Sequence, residues 1–245
     1  MPLTALTCAA EVLLATDHDP YVRGSLRRPD VTGWAGHGAV AWRSNEERTA
    51  YLMTRGEPSA VALLVEELLP ELRDRTRVTL PRGTARLLPA WVAMADATDW
   101  DLRWTDTPPP VQPGEDRVVE VTAEEVAAVL PAWSPRASAP PGDAAVRSWL
   151  GIRGGGGLLA CAADTSAANG VGHLSSIAVD PSSRSQGLGA ATTAALIRRL
   201  FGQGVDLVTL GMYADNAAGR ALYDRLGMHD HHWFTSGPLQ VRSRW

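Results

Sequence analysis

The sequence predicts an α/β fold of the α+β kind, laid out as two similar halves. Three observations carry this. Short apolar runs with strand character alternate with amphipathic helical runs from residue 37 onward. The order strand, strand, helix, strand, helix, strand is met twice, which suggests an internal duplication. Between the two stands Thr107-Pro-Pro-Pro-Val-Gln-Pro-Gly114. Proline has no N–H and a fixed φ, so this run continues neither a helix nor a central strand and reads as a stiff linker. The expected organisation is residues 1–106, a linker over 107–114, and 115–245. With 245 residues, 45% of them hydrophobic, the chain has enough apolar surface for a core.

In the first half, His37 to Arg43 and Thr49 to Thr54 read as two strands of a hairpin, with polar Ser44 to Arg48 between them. Val61, Leu64, Val65, Leu68, Leu69 and Leu72 share one helical face, and Ser59 is placed to cap that helix. Arg77 to Leu80 and Trp100 to Trp104 read as strands. Arg86 to Ala95 reads as a short helix weakened by Pro89.

In the second half, Thr122-Ala-Glu-Glu125 is a capping box that opens a helix through Leu130. Pro131 to Gly142 is a Pro- and Ala-rich loop, and Asp143 to Leu150 a short helix. Arg153-Gly-Gly-Gly-Gly157 is a turn. Leu158 to Ala163 and Val171 to Val179 are strands, Gly187 to Phe201 a helix, Val205 to Leu210 a strand, and Asn216 to Leu226 a helix. Gly227 closes that helix, and His229 to Thr235 is the last strand.

Composition excludes several chemistries. All 23 basic residues are arginine, so a phosphate-binding or Schiff-base lysine is ruled out. The net charge of −4 lacks the basic face that nucleic acid needs. Cys8 and Cys161 are far apart and in no metal spacing, which predicts free thiols, Cys161 in the core. No apolar run approaches the ~20 residues that span a bilayer, and the N-terminus lacks a signal-peptide pattern. A cytoplasmic protein is expected, with no nucleic-acid or membrane partner, as a monomer or homodimer. Along a strand, His229 and His231 of His229-Asp-His-His232 share one face and Asp230 and His232 the other; two histidines on one face are a thin ligand set, so no metal is expected. Most of the nine tryptophans should pack, with Trp133 the best placed to line a pocket.

The informative stretch is Ile177-Ala-Val-Asp-Pro-Ser-Ser-Arg-Ser-Gln-Gly-Leu-Gly-Ala190. A strand runs into a polar loop and a glycine turn that opens a helix. The first turn of a helix carries unpaired N–H groups and partial positive charge, and Gly187 and Gly189 have no side chain to block an anion. The stretch therefore forms a phosphate site that needs no lysine. A dinucleotide fingerprint is the competing reading, with Asp206 as its acid. Against it, Thr192 fills the third glycine position and Asp206 opens its strand rather than ending it.

Arg184-Ser-Gln-Gly187-Leu-Gly189 resembles the R/Q-x-x-G-x-G/A loop of the GNAT superfamily of N-acetyltransferases. Asp215-Asn-Ala-Ala-Gly-Arg-Ala-Leu-Tyr-Asp-Arg-Leu-Gly-Met228 resembles that family's second signature, at the usual separation. The resemblance covers about Arg117 to Thr235. It implies a mixed, mostly antiparallel sheet flanked by helices in each half, the first half being a degenerate copy, and an acetyl-CoA-dependent acyltransferase acting on an amine of a small molecule or peptide. It further implies that the backbone of Ile177, Ala178 and Val179 pairs with the pantetheine amides. The N–H groups of Ser185, Gln186, Gly187, Leu188, Gly189 and Ala190, after Arg184, would hold the pyrophosphate. Asn216 would touch the CoA arm, and Tyr223 would protonate the departing thiolate.

The base is less plain. Where many of the family carry a glutamate before the second motif, this chain has Gly211. Where others carry one earlier, it has His173, and a free imidazole is mostly neutral at pH 7 and accepts protons. A histidine that merely satisfies a core hydrogen bond is the equal alternative, His231 a second candidate, and ordered water a third. Two other functions stay open: a catalytically idle CoA-binding module, and an acetyltransferase for a specialised thiol-precursor amine.

Overall fold

The computed structural model describes residues 2–44, 51–72 and 75–241. The chain divides into two compact units. Unit 1 comprises Met1–Leu102, Tyr213–Asp215 and His231–Trp245; unit 2 comprises Arg103–Met212 and Asn216–Asp230. The units therefore depart from the contiguous boundaries expected from the sequence. The final strand from His231 onward falls in unit 1, while Arg103 to Asp106 fall in unit 2.

Unit 1 opens with β1 (Thr4–Cys8), α1 (Ala9–Ala15), α2 (Pro20–Ser25) and β2 (Asp30–Gly36), none of them assigned from the sequence. It continues through β3 (Ala39–Ser44), β4 (Tyr51–Arg55), α3 (Pro58–Leu68), β5 (Arg77–Pro81), β6 (Val92–Met94) and the first part of β7 (Thr98–Thr105). His37 and Gly38 have φ of 57° and 82° and turn β2 into β3, so the strand expected from His37 starts at Ala39. The pairs β1–β2, β2–β3 and β3–β4 are antiparallel, and β4–β5 is parallel. The hairpin expected across Ser44 to Arg48 is present as the β3–β4 pair, but its turn lies outside the described residues.

The helix α3 crosses over between the two parallel strands and buries Val61, Leu64, Val65 and Leu68 against Leu52, Val78 and Leu80. Its cap is Glu57, not Ser59, and Pro58 takes the first turn, where its missing N–H costs nothing. Arg86 to Ala95 is not a helix. A 3-10 turn over Thr84–Arg86 and the strand β6 replace it, with a turn closed by Val92 N–H on the Pro89 carbonyl. The last strand, β13 (His229–Val241), pairs antiparallel with β5 and with β6.

A buried polar group ties the start of unit 1 to that last strand. Asp19 Oδ2 accepts from Arg55 Nε at 2.7 Å and lies 2.9 Å from His232 Nε2, while its Oδ1 caps α2 on Tyr21 N at 2.9 Å. Tyr21, Trp42, Trp100 and Phe234 pack beside it with ring centroids 4.2–6.3 Å apart. Tyr21, Trp42 and Phe234 are buried and Trp100 is half-buried.

Unit 2 repeats the element order. It runs β8 (Val118–Val121), α4 (Ala123–Ala127), α5 (Leu130–Trp133), β9 (Ser148–Gly154), β10 (Gly157–Asp164), β11 (Val171–Val179), α6 (Leu188–Gly202), β12 (Leu207–Tyr213) and α7 (Ala217–Arg225). Its strands are ordered β12-β11-β10-β9-β8, with β11–β12 parallel and the rest antiparallel. This is the mixed, mostly antiparallel sheet expected. The capping box is present, Thr122 N–H giving to Glu125 Oε2 at 2.8 Å and Glu125 N–H to Thr122 Oγ1 at 3.2 Å. The helix expected over Asp143 to Leu150 is not; Ser148 onward is β9, whose consecutive residues Trp149 to Ile152 are buried on both faces. Gly151 is required there, since a Cβ would stand 2.5 Å from the Ala160 carbonyl. The glycine run is the turn into β10. Cys161 is fully buried, and burial pushes its thiol up to about 12. No helix among the described residues is long and apolar enough to cross a membrane.

The Asp19 group yields a pH prediction. Burial alone would raise this carboxyl, but the hydrogen bond and charge of His232, then those of Arg55, outweigh it and hold the carboxyl below its ordinary value. A depressed folded pKa adds stability above the unfolded value of about 3.9 and loses it as pH falls through the folded value. Asp19→Asn keeps the helix cap and removes the charge. It should cost about 2–3 kcal/mol at pH 7, less than a fully buried pair because Arg55 is over a third exposed. Urea unfolding at pH 7 and pH 3 should show the variant's stability changing less with acid than the wild type's.

Candidate active site

The site is built where β11 leaves β12. Their register runs from Val171–Leu207 to Leu174–Leu210 and ends there, while β11 itself continues to Val179, still paired to β10 through Ala178–Cys161 and Val179–Ala160. Between these stretches the β10–β11 register shifts, and Ser176 adopts φ 51°, a bulge that re-aims the strand. Beyond it, Ile177, Ala178 and Val179 extend past the ladder with β12. A strand edge of that kind carries N–H and C=O groups that seek partners.

The chain then turns on Asp180, whose carboxylate accepts from Ser182 N at 3.1 Å and Ser182 Oγ at 2.7 Å. Arg184, Ser185 and Gln186 are exposed. Ser185 and Gly187 adopt left-handed φ of 63° and 80°. Gly187 is the N-cap of α6, and its carbonyl takes the first helical bond from Ala191 N. The preceding N–H groups, on Leu188, Gly189 and Ala190, therefore have no intrahelical acceptor. A Cβ on Gly187 would meet nothing within 4 Å, whereas one on Gly189 would press Leu222 Cδ1 at 3.1 Å and Val179 Cγ2 at 3.3 Å. The first glycine serves the turn and leaves open space in front of it. The second serves close packing of α6.

The corresponding turn of unit 1, Gly56-Glu57-Pro58, differs in each respect. A Cβ on Gly56 would stand 2.8 Å from Ala39 Cβ, so that backbone is packed rather than open. Glu57 puts a carboxylate at the helix start, and Pro58 removes an N–H.

Tyr223 lies on α7, 6% exposed, in the apolar cluster formed with Leu174, Leu210 and Ile197 on the α6 face of the sheet. Burial pushes its phenol up to about 12, the positive charge of Arg103 pulling the other way. Asn216 caps α7, its Oδ1 accepting from Gly219 N at 2.9 Å. Its side chain therefore works in the helix cap.

His173 follows from alternation. Leu174 faces α6, so His173 faces the opposite side, half buried. Its Nδ1 is 2.8 Å from Thr209 Oγ1, and Thr209 donates to the Gly172 carbonyl at 3.3 Å. The Thr209 contact orients the ring, and which of Nδ1 and Oγ1 donates depends on the tautomer. Its backbone is held as well: Ser166 Oγ accepts from His173 N at 2.9 Å and donates to Asp164 Oδ1 at 2.5 Å. On the same face, Ser176 Oγ donates to the Ala139 carbonyl at 2.7 Å and accepts from Ala139 N at 3.0 Å. This fastens the loop after α5 onto β11. Trp133 is half buried against Val126, Trp149 and their neighbours. His231 is exposed and belongs to unit 1, not to the unit that carries both motifs.

Sequence reasoning missed Arg103, Ser176 and Thr209. Arg103 is fully buried; its Nη1 donates to Asp224 Oδ1 at 2.6 Å, and Nη2 lies 2.8 Å from Asp230 Oδ2 in a charge contact out of line for a hydrogen bond. The only signal for it was an arginine inside a strand pattern.

Residues 103–228 match the Acetyltransferase (GNAT) family. Over 62 residues the chain is 42% identical to the Mycothiol acetyltransferase of Kocuria rhizophila; the aligned part is 25% of this chain and only 20% of that protein. Its fold is similar to that of a GCN5-related N-acetyltransferase from Sphaerobacter thermophilus, with a TM-score of 0.56 and 18% identity over 98% of this chain and 96% of the other. It is also similar to a GCN5-related N-acetyltransferase from Kribbella flavida, with a TM-score of 0.54 and 21% identity over 93% of this chain and 95% of the other.

The Gly187 geometry predicts the effect of filling it. A β-branched residue in the left-handed region costs about 1–3 kcal/mol of strain, and its side chain would project into the open space. Gly187→Val should weaken acetyl-CoA binding at least ~10-fold. Calorimetry on the wild type should give one acetyl-CoA per chain, and two equal sites would contradict the contrast drawn with Gly56.

Proposed function

Since the chain belongs to the acetyltransferase (GNAT) family, we propose that unit 2 binds acetyl-CoA and transfers its acetyl group to an amine by direct attack. The observation that carries this is the unpaired β11 edge running straight into a left-handed glycine turn and a helix N-terminus. The backbone of Ile177, Ala178 and Val179 takes the pantetheine amides as an added strand would be taken. The N–H groups from Ser185 to Ala190 take the pyrophosphate, which suits a chain without lysine. Asn216 contributes by ordering the start of α7 beside the CoA arm.

The nitrogen lone pair of the acceptor attacks the thioester carbonyl carbon, the C–S bond breaks, and one proton leaves nitrogen while another reaches sulfur. His173, its ring oriented by the Thr209 hydroxyl, takes the first. Tyr223 serves the second. A phenol at about 12 is fully protonated at neutral pH. It is a weaker acid than a thiol near 8.5. As charge builds on sulfur the phenol's hydrogen bond strengthens and stabilises the departure; full transfer from so weak an acid is uphill and completes only as solvent returns a proton to the phenolate.

A thiol-precursor amine is the second reading for the acceptor, favoured by the short match to a mycothiol acetyltransferase. A panel of α-amino acids, peptides, alkylamines and thiol-bearing amines, followed by release of CoA, decides. Turnover with any of them eliminates the idle-module alternative, and none at any concentration overturns the proposal.

Two variants test the roles. Tyr223→Phe keeps the ring and should lower kcat by about 10²–10⁴-fold, as read by single-turnover kinetics. His173→Ala should lower the acetylation rate and remove the inflection that an imidazole base should give to its pH profile, while acetyl-CoA affinity is unchanged. A variant that keeps both rate and inflection assigns the proton to water.

A further inference from the structure

Arg103 is a costly residue with no role in the chemistry described so far. Its side chain is 0% exposed, and taking a guanidinium out of water costs several kcal/mol unless carboxylates and hydrogen bonds repay it. A methionine would fill the space without that cost. The arginine meets two carboxylates, Asp224 in the last turn of α7 and Asp230 in β13. Asp224, which takes Nη1 at 2.6 Å, is the residue after Tyr223. Asp230, 2.8 Å from Nη2, stands just beyond the end of α7 and also lies 3.4 Å from Arg220 Nη1, three residues before Tyr223. Residues three and four apart share a helix face, so Arg220, Tyr223 and Asp224 are neighbours on α7. The helix is thus held to the strand segment at Arg103 directly through Asp224 and indirectly through Asp230 and Arg220.

The contacts of the Tyr223 ring are apolar, with Leu210, Met212, Leu226 and Ile197 in its cluster. Such contacts are non-directional and leave the rotation of a nine-residue helix loosely set. The Arg103 Nη1 hydrogen bond to Asp224 is directional, and the Nη2 charge contact with Asp230 adds a second point of attachment. We propose that Arg103 is a positioning residue for acetyl transfer: through Asp224 and Asp230 it fixes the rotation of α7 and so aims the Tyr223 hydroxyl at the departing sulfur. This rests on the reading of Tyr223 as the proton donor. The charge of Arg103 acts in the same sense, since a buried cation near the phenol favours negative charge there.

A double-mutant cycle tests it. Arg103→Gln and Asp224→Asn are each made alone and on Tyr223→Phe, and assayed with acetyl-CoA and the panel amine that the wild type acetylates fastest. Arg103→Gln should lower kcat ~10–100-fold and Asp224→Asn ~3–10-fold, with KM for acetyl-CoA within ~2-fold, because only the aim of the donor changes. On Tyr223→Phe both effects should shrink to under ~2-fold, since there is no hydroxyl left to aim. Persistence of the full effects on that background overturns the proposal and leaves Tyr223 standing. A wild-type rate for Tyr223→Phe itself overturns the reading beneath it. If Arg103→Gln does not fold, Asp224→Asn alone decides, because the Asp224 side chain is 55% exposed and tolerates the change.

Discussion

Unit 2 depends on one constraint: two parallel strands that pair for four residues and then part. Up to Leu174 and Leu210 the backbone of β11 is satisfied on both edges; beyond them only the β10 edge is. Unpaired backbone groups are expensive when buried away from water, so the parting has to be enforced. The Ser176 bulge does so. Its left-handed φ shifts the register against β10, and its hydroxyl is tied both ways to Ala139. A non-glycine residue in that region stores strain of about 1–3 kcal/mol, which the surrounding hydrogen bonds and packing must over-determine. The glycine turn and the first turn of α6 then follow with their own unsatisfied N–H groups.

The contrast with unit 1 shows that the topology is not sufficient. There too a helix crosses over between parallel strands, β4 and β5. The difference lies in three residues. Gly56 is packed against Ala39, Glu57 brings negative charge, and Pro58 withdraws a donor. The same fold element therefore serves as scaffold in one unit and, on the proposed reading, as anion cradle in the other.

What the sequence disclosed follows the same division. Turn chemistry and helix boundaries are local, so Gly187, Asn216, Gly227 and the Thr122 capping box could be read directly. The strand β9 could not. It is buried on both faces, so its residues show no alternation, and its apolar run imitates a short helix. Arg86 to Ala95 failed for a different reason: Pro89 closes a turn, and a three-residue strand is too short to show a period. The first 36 residues hold two short helices and two strands with no long repeat in any of them. That β13 belongs to unit 1 is a tertiary fact, since it depends on pairing with β5. Arg103 was hidden because its meaning lies in Asp224 and Asp230, more than a hundred residues away.

On the proposed reading, the two residues that move protons need opposite surroundings, and they lie on opposite faces of the sheet at β11. A proton donor must stay protonated and be aimed. Tyr223, the proposed donor, is buried among apolar side chains that raise its phenol, while the charge of Arg103 pulls it down, and on the reading proposed above the Arg103–Asp224 ion pair supplies the aim. A proton acceptor must stay neutral and present one chosen nitrogen. His173, the proposed acceptor, is half buried, and the Thr209 hydroxyl 2.8 Å from its Nδ1 orients the ring. A carboxylate at Thr209 would stabilise the imidazolium and weaken the drive to pass the proton on to solvent. A hydroxyl orients the ring without that penalty, which explains why a threonine rather than an acid is the apt partner at this position.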